Sequence, residues 1–415
     1  MKELGHESHI LVADNTTSGD ATVTQTGKPG KLGLTVKRGL RRLYSDYLWR
    51  DKESDHGYIP EWRFARPSMD EIVSRVPFEP DLIIAYWTSY FVDERQLRDL
   101  SQRFRAPVFR YLMDMAPITG GCHYAFDCEG YFNRCGRCPG IASKRDNDLS
   151  RAEWISKSES LDQMSLLYLA ASSQLMDQLA SGSLSRKKPR ELLPISVSPE
   201  FFAPRDSAAA RVNLNIPLEP FVIFFGAQVL HEKRKGMGLL LESLKILATQ
   251  LSEEERKGVF LMYAGNGADL DLPFPNKYIG YVDRHGLADA YQAADLFACP
   301  SIEDSGPLMI NESLMSGTPV VCFHMGVGRD LVHTGQTGYR ARLGDAKDFA
   351  DGLLGLIRQK PSERRAVRES CREYALELLH PIVQAKRLLE FESHYDYDTL
   401  RKGVARVDDS VSVAR

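Results

Sequence analysis

The apolar positions of this chain fall into two kinds of block. Short continuous apolar runs occur at 80–87, 106–112, 165–171, 221–227, 259–264, 295–299 and 318–323. Runs of that length and composition read as strands buried on both faces. Between them, apolar residues recur at helical spacing over 96–103, 172–179, 239–247, 287–294, 349–357, 362–378 and 381–395. Strand and helix in alternation predict parallel α/β sheets. A short strand is also expected at 278–282. Residues 1–4 read as the last turn of a helix stopped by Gly5, and 8–13 as a strand. The Thr-, Ser- and Gly-rich stretch 15–31 reads as a loop. Residues 37–50 read as a basic amphipathic helix, with Leu40, Leu43, Tyr44, Tyr47 and Leu48 among Arg38, Arg41, Arg42 and Arg50.

The stretch 299–323 concentrates the chemistry. The strand ending at Cys299 stops at Pro300, and Ser301 to Gly306 form a polar loop with two acids, Glu303 and Asp304. Pro307 suits the first turn of a helix and Gly317 its stop. A helix start at the carboxyl end of a parallel strand aims unpaired N–H groups at the crevice where such sheets bind ligands. That end attracts phosphate. Acids beside it accept hydrogen bonds from sugar hydroxyls, and Glu312 lies within reach of a ribose. Donors for a diphosphate beside acceptors for hydroxyls suit a nucleotide-sugar; an ordinary solvated acidic loop is the plain alternative. Earlier, His231-Glu232-Lys233-Arg234-Lys235-Gly236 follows the 221–227 strand, and Arg with Lys at that place suits a diphosphate.

These residues carry a resemblance. An acid, seven residues, a Glu and then a run ending Gly-Thr-Pro-Val-Val resembles the nucleotide-binding segment of family 4 retaining glycosyltransferases of GT-B architecture. Asp304, Glu312 and Gly317-Thr318-Pro319-Val320-Val321 match it. The family's first acid is commonly Glu, so Asp304 is a departure, or Glu303 takes the role one position early. Lys235-Gly236 and Thr337-Gly338-Tyr339 match further motifs, while Gln228 stands where the family has Arg, with Arg234 as the residue that compensates. The resemblance implies two Rossmann-like domains facing a central cleft. Residues 1–195 would be the acceptor domain, 196–218 a linker, 219–378 the donor domain, 379–400 a closing helix returning to the first domain, and 401–415 a tail. In the family a first strand and Gly-rich loop precede the turn at 1–4. The first domain is expected to lack both, through a late start of the numbering or truncation.

The resemblance further implies transfer of a sugar from a UDP- or GDP-sugar to a hydroxyl of a saccharide or polyprenyl-linked acceptor, with retained configuration and no metal. Lys235, Arg234 and the helix start would neutralise the leaving diphosphate. Asp304 or Glu303 would hold the donor sugar, and Glu312 the ribose. Ser305, Gly306, Pro307 and Leu308 at the helix start, with Gly226, Gln228 and Gly265 at strand ends, complete the expected donor contacts.

Beyond the 106–112 strand lies Asp114-Met115-Ala116-Pro117-Ile118-Thr119-Gly120-Gly121-Cys122-His123-Tyr124, then Cys128, Tyr131, Cys135, Gly136, Cys138 and Pro139. Two cysteine pairs joined by a short loop can place four thiolates around Zn²⁺. Cys122, Cys128, Cys135 and Cys138 are therefore candidate ligands of a structural zinc, although the first pair is spaced more widely than in zinc ribbons. Reduced structural thiols, or one or two local disulfides, are the alternatives. His123 could replace a cysteine or face the acceptor. The segment resembles a subgroup of family 4 enzymes from exopolysaccharide and colanic-acid-like pathways. Met113-Asp114 stands where that subgroup has His-Asp. Asp114 is the candidate for the acceptor hydroxyl, with a loop-capping role as the alternative.

Composition narrows the rest. The chain has 415 residues and a net charge of −3, which gives no global attraction to nucleic acid. No apolar run approaches the roughly 20 residues of a membrane span. The first residues lack the apolar core of a signal peptide. Seven cysteines, an odd number, argue against a secreted disulfide scaffold. A cytoplasmic setting is expected, with peripheral contact at the inner membrane face through the 37–50 helix; a solvated helix face is the plain alternative. The runner-up function is a glycosyltransferase-like binding protein without turnover, which the expected lack of the first strand, Met113 and Gln228 favour.

Overall fold

The computed structural model describes residues 1–13, 20–26, 56–58, 67–89, 91–267 and 270–401. The expected basic helix at 37–50 and the end of the tail lie outside these residues. The chain divides into two compact units. One comprises Met1–Ala170, Leu175–Leu192 and Lys386–Arg415, the other Ala171–Gln174 and Leu193–Ala385.

The first unit holds β1 (Ile10–Val12), β2 (Val23–Gln25), β3 (Ile83–Ala85), β4 (Val108–Leu112), β5 (Leu166–Ala170) and β6 (Arg190–Leu192). β3 to β6 form a parallel sheet in sequence order, while β1 and β2 pair with each other in a separate parallel ribbon. Every residue of β4 and β5 is buried, as central parallel strands require. β2 lies inside the stretch expected to be a loop; its Val-Thr-Gln sequence is too short and polar to show a strand period. Residues 2–4 form a single 3₁₀ turn, closed by Gly5 in the left-handed region.

The second unit holds β7 (Phe221–Val229), β8 (Val259–Asn266), β9 (Asn276–Tyr278), β10 (Leu296–Cys299), β11 (Val320–Phe323) and β12 (Gly338–Ala341). All are parallel, in the order β12-β11-β10-β7-β8-β9. Counted from β7, this is the doubly wound Rossmann order 3-2-1-4-5-6. Val222 and Phe224 enter one apolar cluster and Ile223 and Phe225 another, so alternate residues of β7 feed the cores on opposite faces of the sheet. The chain reverses direction of winding between β7 and β10, which places the ligand crevice beyond their carboxyl ends.

Residues 196–218 belong to the second unit and contain the helix Ser207–Asn213. Asp206 caps it, accepting from Ala208 N–H, and its alanines are strong helix formers. The helix Pro381–His394 begins in the second unit and belongs to the first from Lys386 onward. There Arg387 Nη2 donates to Leu192 O at 2.8 Å and Tyr395 Oη to Glu191 Oε1 at 2.8 Å. The short strand expected at 278–282 runs earlier, over Asn276–Tyr278.

Candidate functional site

The second unit builds its site at the switch point. β7 ends in a loop that makes one 3₁₀ turn, Lys233–Lys235, and stops at Gly236 with φ 67°. A Cβ at Gly236 would lie 1.9 Å from Pro300 O, at the end of β10. Only glycine fits there, and its absence of a side chain lets the two loops meet. Ile302 N–H donates to Arg234 O at 2.8 Å, joining them through the backbone.

This closeness gathers the charges. Lys235 Nζ donates to Asp304 Oδ2 at 2.5 Å and Arg234 Nη1 to the same oxygen at 2.8 Å. Arg234 also forks onto Glu232, with Nε to Oε1 at 2.6 Å and Nη2 to Oε2 at 3.1 Å. Asp304 is 7% exposed, so this pairing is sheltered from solvent. Asp304 thus anchors both cations, and a diphosphate arriving here would exchange one anionic partner for another. Glu303 N–H points back to Arg234 O.

The helix Leu308–Met315 follows, with Pro307 at its N-cap and no side chain capping it. Gly306 N–H donates to Asp304 Oδ1 at 3.3 Å, and the buried Ser305 accepts at its carbonyl from Ser172 Oγ at 2.8 Å. Leu308, 41% exposed, stands at the helix start. Glu312 is buried and takes a hydrogen bond from Tyr291 Oη to Oε2 at 3.1 Å. Burial pushes its carboxyl up to about 7, against the Tyr291 hydrogen bond and the Arg284 charge, which lower it.

Gly226 and Gly265 sit where β7 and β8 lose register. A Cβ on Gly265 would meet Ala227 O at 1.9 Å, so this glycine serves the close approach of two strands. Its carbonyl accepts from Tyr278 Oη at 2.6 Å. Gln228 is exposed at the end of β7, and its backbone oxygen accepts from Asn266 Nδ2. Tyr291 and Glu232 support the site but escape sequence reading. Tyr291 lies on the buried face of the helix Arg284–Ala293 and looks like core; only the acid two places before Arg234 hints at Glu232.

The first unit brings Asp114 and His123 together. Asp114 follows β4 and its Oδ1 accepts from Ala116 N–H at 2.8 Å, while Oδ2 lies 2.5 Å from His123 Nδ1. The helix Leu149–Leu161 secures this loop: Lys157 Nζ donates to Ala116 O at 2.6 Å and to Thr119 O at 3.2 Å. Its apolar residues do not share one face, so helical spacing does not reveal it.

Cys122, Cys128, Cys135 and Cys138 line one hollow of about 20 Å³, room for about one water-sized body. Gly120 N–H donates to Cys135 Sγ at 3.2 Å. All four are free thiols, so neither local disulfide is present. Burial pushes Cys135 and Cys138 up to about 11 and raises Cys122 further. Among the described residues no group of three or more His, Cys, Asp or Glu side chains is disposed to hold a metal ion. The hollow gathers the four sulfurs around one space. Among the described residues no helix is long and apolar enough to cross a membrane.

Comparison with known proteins shows what part of the second unit is similar to. Residues 219–359 match the family model described as Glycosyl transferases group 1. The chain is 28% identical over 186 residues to the D-inositol 3-phosphate glycosyltransferase of Stackebrandtia nassauensis, covering 41% of this chain and 42% of that one. It is 29% identical over 154 residues to the phosphatidyl-myo-inositol mannosyltransferase of Mycobacterium leprae, covering 35% and 39%. The chain spans under half the length of these curated relatives. Among solved structures, Anabaena HepE in complex with UDP-glucose has a TM-score of 0.56 at 16% identity, over 89% of this chain and 98% of that one. The fold of this chain is therefore GT-B, built on two Rossmann-like units.

Proposed function

We propose that the chain is a retaining glycosyltransferase. It takes a sugar from a UDP- or GDP-sugar and places it on a hydroxyl of a saccharide or lipid-linked saccharide, in surface or exopolysaccharide synthesis at the cytoplasmic face of the membrane. The observation that carries this reading is the meeting of Arg234, Lys235 and an uncapped helix start at the Rossmann switch point, with buried Glu312 on the same helix. The names of the relatives support sugar transfer, and the HepE complex supports a uridine diphosphate donor in a protein of this fold.

In this reading Arg234, Lys235 and the helix N–H groups neutralise the departing diphosphate, which is stabilisation of charge as it develops. The bond from the anomeric carbon to the phosphate oxygen breaks. The acceptor oxygen bonds that carbon on the same face, and its proton passes to the departing phosphate oxygen. Asp304, released from the cations, or Glu303 holds donor hydroxyls, and Glu312 holds the ribose. A structural zinc in the cysteine hollow is a separate proposal resting on four thiols around one space. One zinc per purified chain would support it; a metal-free chain with all four thiols titratable would remove it.

The test is release of nucleoside diphosphate from radiolabelled UDP-glucose and GDP-mannose by the purified chain. Turnover of either, lost in Lys235→Ala, is the expected result. Tight binding of a donor without turnover would instead favour the non-catalytic binding protein.

A further inference from the structure

The donor loop of the second unit has a cationic neighbour. β11 ends at Phe323, and the chain then turns through His324 to Asp330 at the carboxyl edge of the sheet. β10 and β11 pair with Cys299 beside Cys322, so this turn stands next to the loop that carries Asp304. The approach is close. A Cβ on Gly326 would lie 2.9 Å from Asp304 O and 3.3 Å from Pro307 Cδ, and one on Gly306 would lie 3.2 Å from Val327 Cγ1. Glycine at both places lets the two loops touch. Gly326 N–H donates to Gln174 Oε1 at 2.8 Å, which pins the turn.

His324 N–H donates to Ala341 O at 2.8 Å, so the histidine leaves β11 beside the end of β12. Arg340, one residue earlier on β12, pairs with Cys322. Its Nη1 donates to Arg329 O, which fixes the two arginines side by side. Both are half-buried, and His324 is exposed. Partial burial, then the Arg340 and Arg329 charges, hold the His324 imidazole below its usual range, and Asp330 acts the other way. Both guanidinium groups therefore stand near that ring. Asp330 Oδ2 already accepts from Ser173 N–H at 2.8 Å. Two arginines against one acid leave this corner positive. Like charges held together cost free energy, and such clusters mark places where an anion offsets them.

The place of the corner says what the anion belongs to. Lys235 and Arg234 meet at Asp304, where the diphosphate and the donor hydroxyls are proposed to lie. The turn touches Asp304 and Pro307, so it borders the place of the sugar. A guanidinium forks onto a carboxylate with two parallel N–H donors. We propose that the donor is a nucleotide-activated hexuronate, whose ring carboxylate is bound by Arg329 and Arg340 beside His324. This rests on the donor reading of the second unit and names the class of sugar within it. The two arginines set specificity; the departing diphosphate stays with Lys235 and Arg234. A neutral hexose fits the same place but leaves the arginines to water, so it binds less well.

The test is calorimetric titration of the full chain with UDP, UDP-glucose, UDP-glucuronate and UDP-galacturonate, and with GDP, GDP-mannose and GDP-mannuronate. For the nucleotide that binds, a hexuronate form should bind about tenfold more tightly than the neutral form, the worth of one charge-assisted contact. Arg329→Gln and Arg340→Gln should each shrink that preference, and the double variant should erase it. The parent UDP or GDP should bind every variant as it binds wild type, which also shows that the variants fold. Equal binding of neutral and hexuronate forms to wild type overturns the proposal. So does a preference that survives in the double variant. A loss of parent nucleotide equal to the loss of hexuronate overturns it too, since the arginines would then serve the diphosphate or the fold. In all three cases UDP or GDP still binds wild type, and the donor reading stands. If neither nucleotide binds wild type, the donor reading falls and this inference with it.

Discussion

The two units carry their polar groups at the same edge of a parallel sheet but leave them in opposite states. In the second, Lys235 and Arg234 close on Asp304, and Glu312 holds Tyr291. In the first, His123 is oriented by Asp114, its buried Nε2 has no hydrogen-bond partner among the described residues, and the Trp87 ring beside it is half exposed. The pairing in the second unit matches the ligand proposed for it. A diphosphate carries enough charge to displace an internal carboxylate, and a prepaired site keeps its cations ordered until then.

The largest test of this contrast is Lys235→Ala. Loss of a group aimed at developing charge should lower kcat by about 10²–10³-fold, measured as nucleoside diphosphate release. Unchanged turnover would mean that Asp304, not the diphosphate, is the lysine's only partner. Gly236→Ala comes next. The added Cβ meets Pro300 O and takes on a left-handed conformation, so stability should fall by about 1–3 kcal/mol in chemical denaturation, with weaker donor binding. Gly238→Ala, where a Cβ meets nothing, is the control.

Glu312→Gln should weaken nucleotide binding about tenfold, through loss of a charged acceptor for ribose hydroxyls. Its pH dependence sharpens the point. The folded carboxyl sits near 7, above its ordinary 4.5. The fold therefore disfavours the ionised form, and stability is lost as pH rises from about 4.5 to about 7, then levels off. Ribose binding favours the ionised form, so donor affinity should rise through pH 7 in wild type and stay flat in Glu312→Gln. The smallest effect belongs to Asp304→Asn. It loosens both cations, so free UDP or GDP should bind equally or a fewfold more tightly, while the intact nucleotide-sugar binds less well. Parallel weakening of both would show that Asp304 serves only to order the cations.

The second unit was legible because its chemistry is local. Gly317-Thr318-Pro319 marks a helix stop and strand entry, and Lys235-Gly236 marks a turn, each within a few residues. The pairing of Lys235 with Asp304 spans 69 positions and needed the fold. In the first unit Asp114 and His123 were each visible as candidates, but nothing in their spacing revealed that one holds the other. Lys157 was hidden because its helix lacks a clean apolar face. The Pro- and Ala-containing stretch read as a linker became part of the second unit, since Asp206 caps a helix that alanines readily extend. The cysteines were read as a set, and they do share a hollow, but spacing alone could not say whether their sulfurs converge.

The central claim is that the second unit grips a nucleotide by its diphosphate. Calorimetric titration of UDP and GDP into wild type and the Arg234→Ala, Lys235→Ala double variant tests it most directly. The account predicts that at least one nucleotide binds wild type and that the double variant binds it about 100-fold or more weakly, the loss of two charge-assisted contacts. Equal affinity in both proteins, or no binding of either nucleotide to wild type, would contradict it.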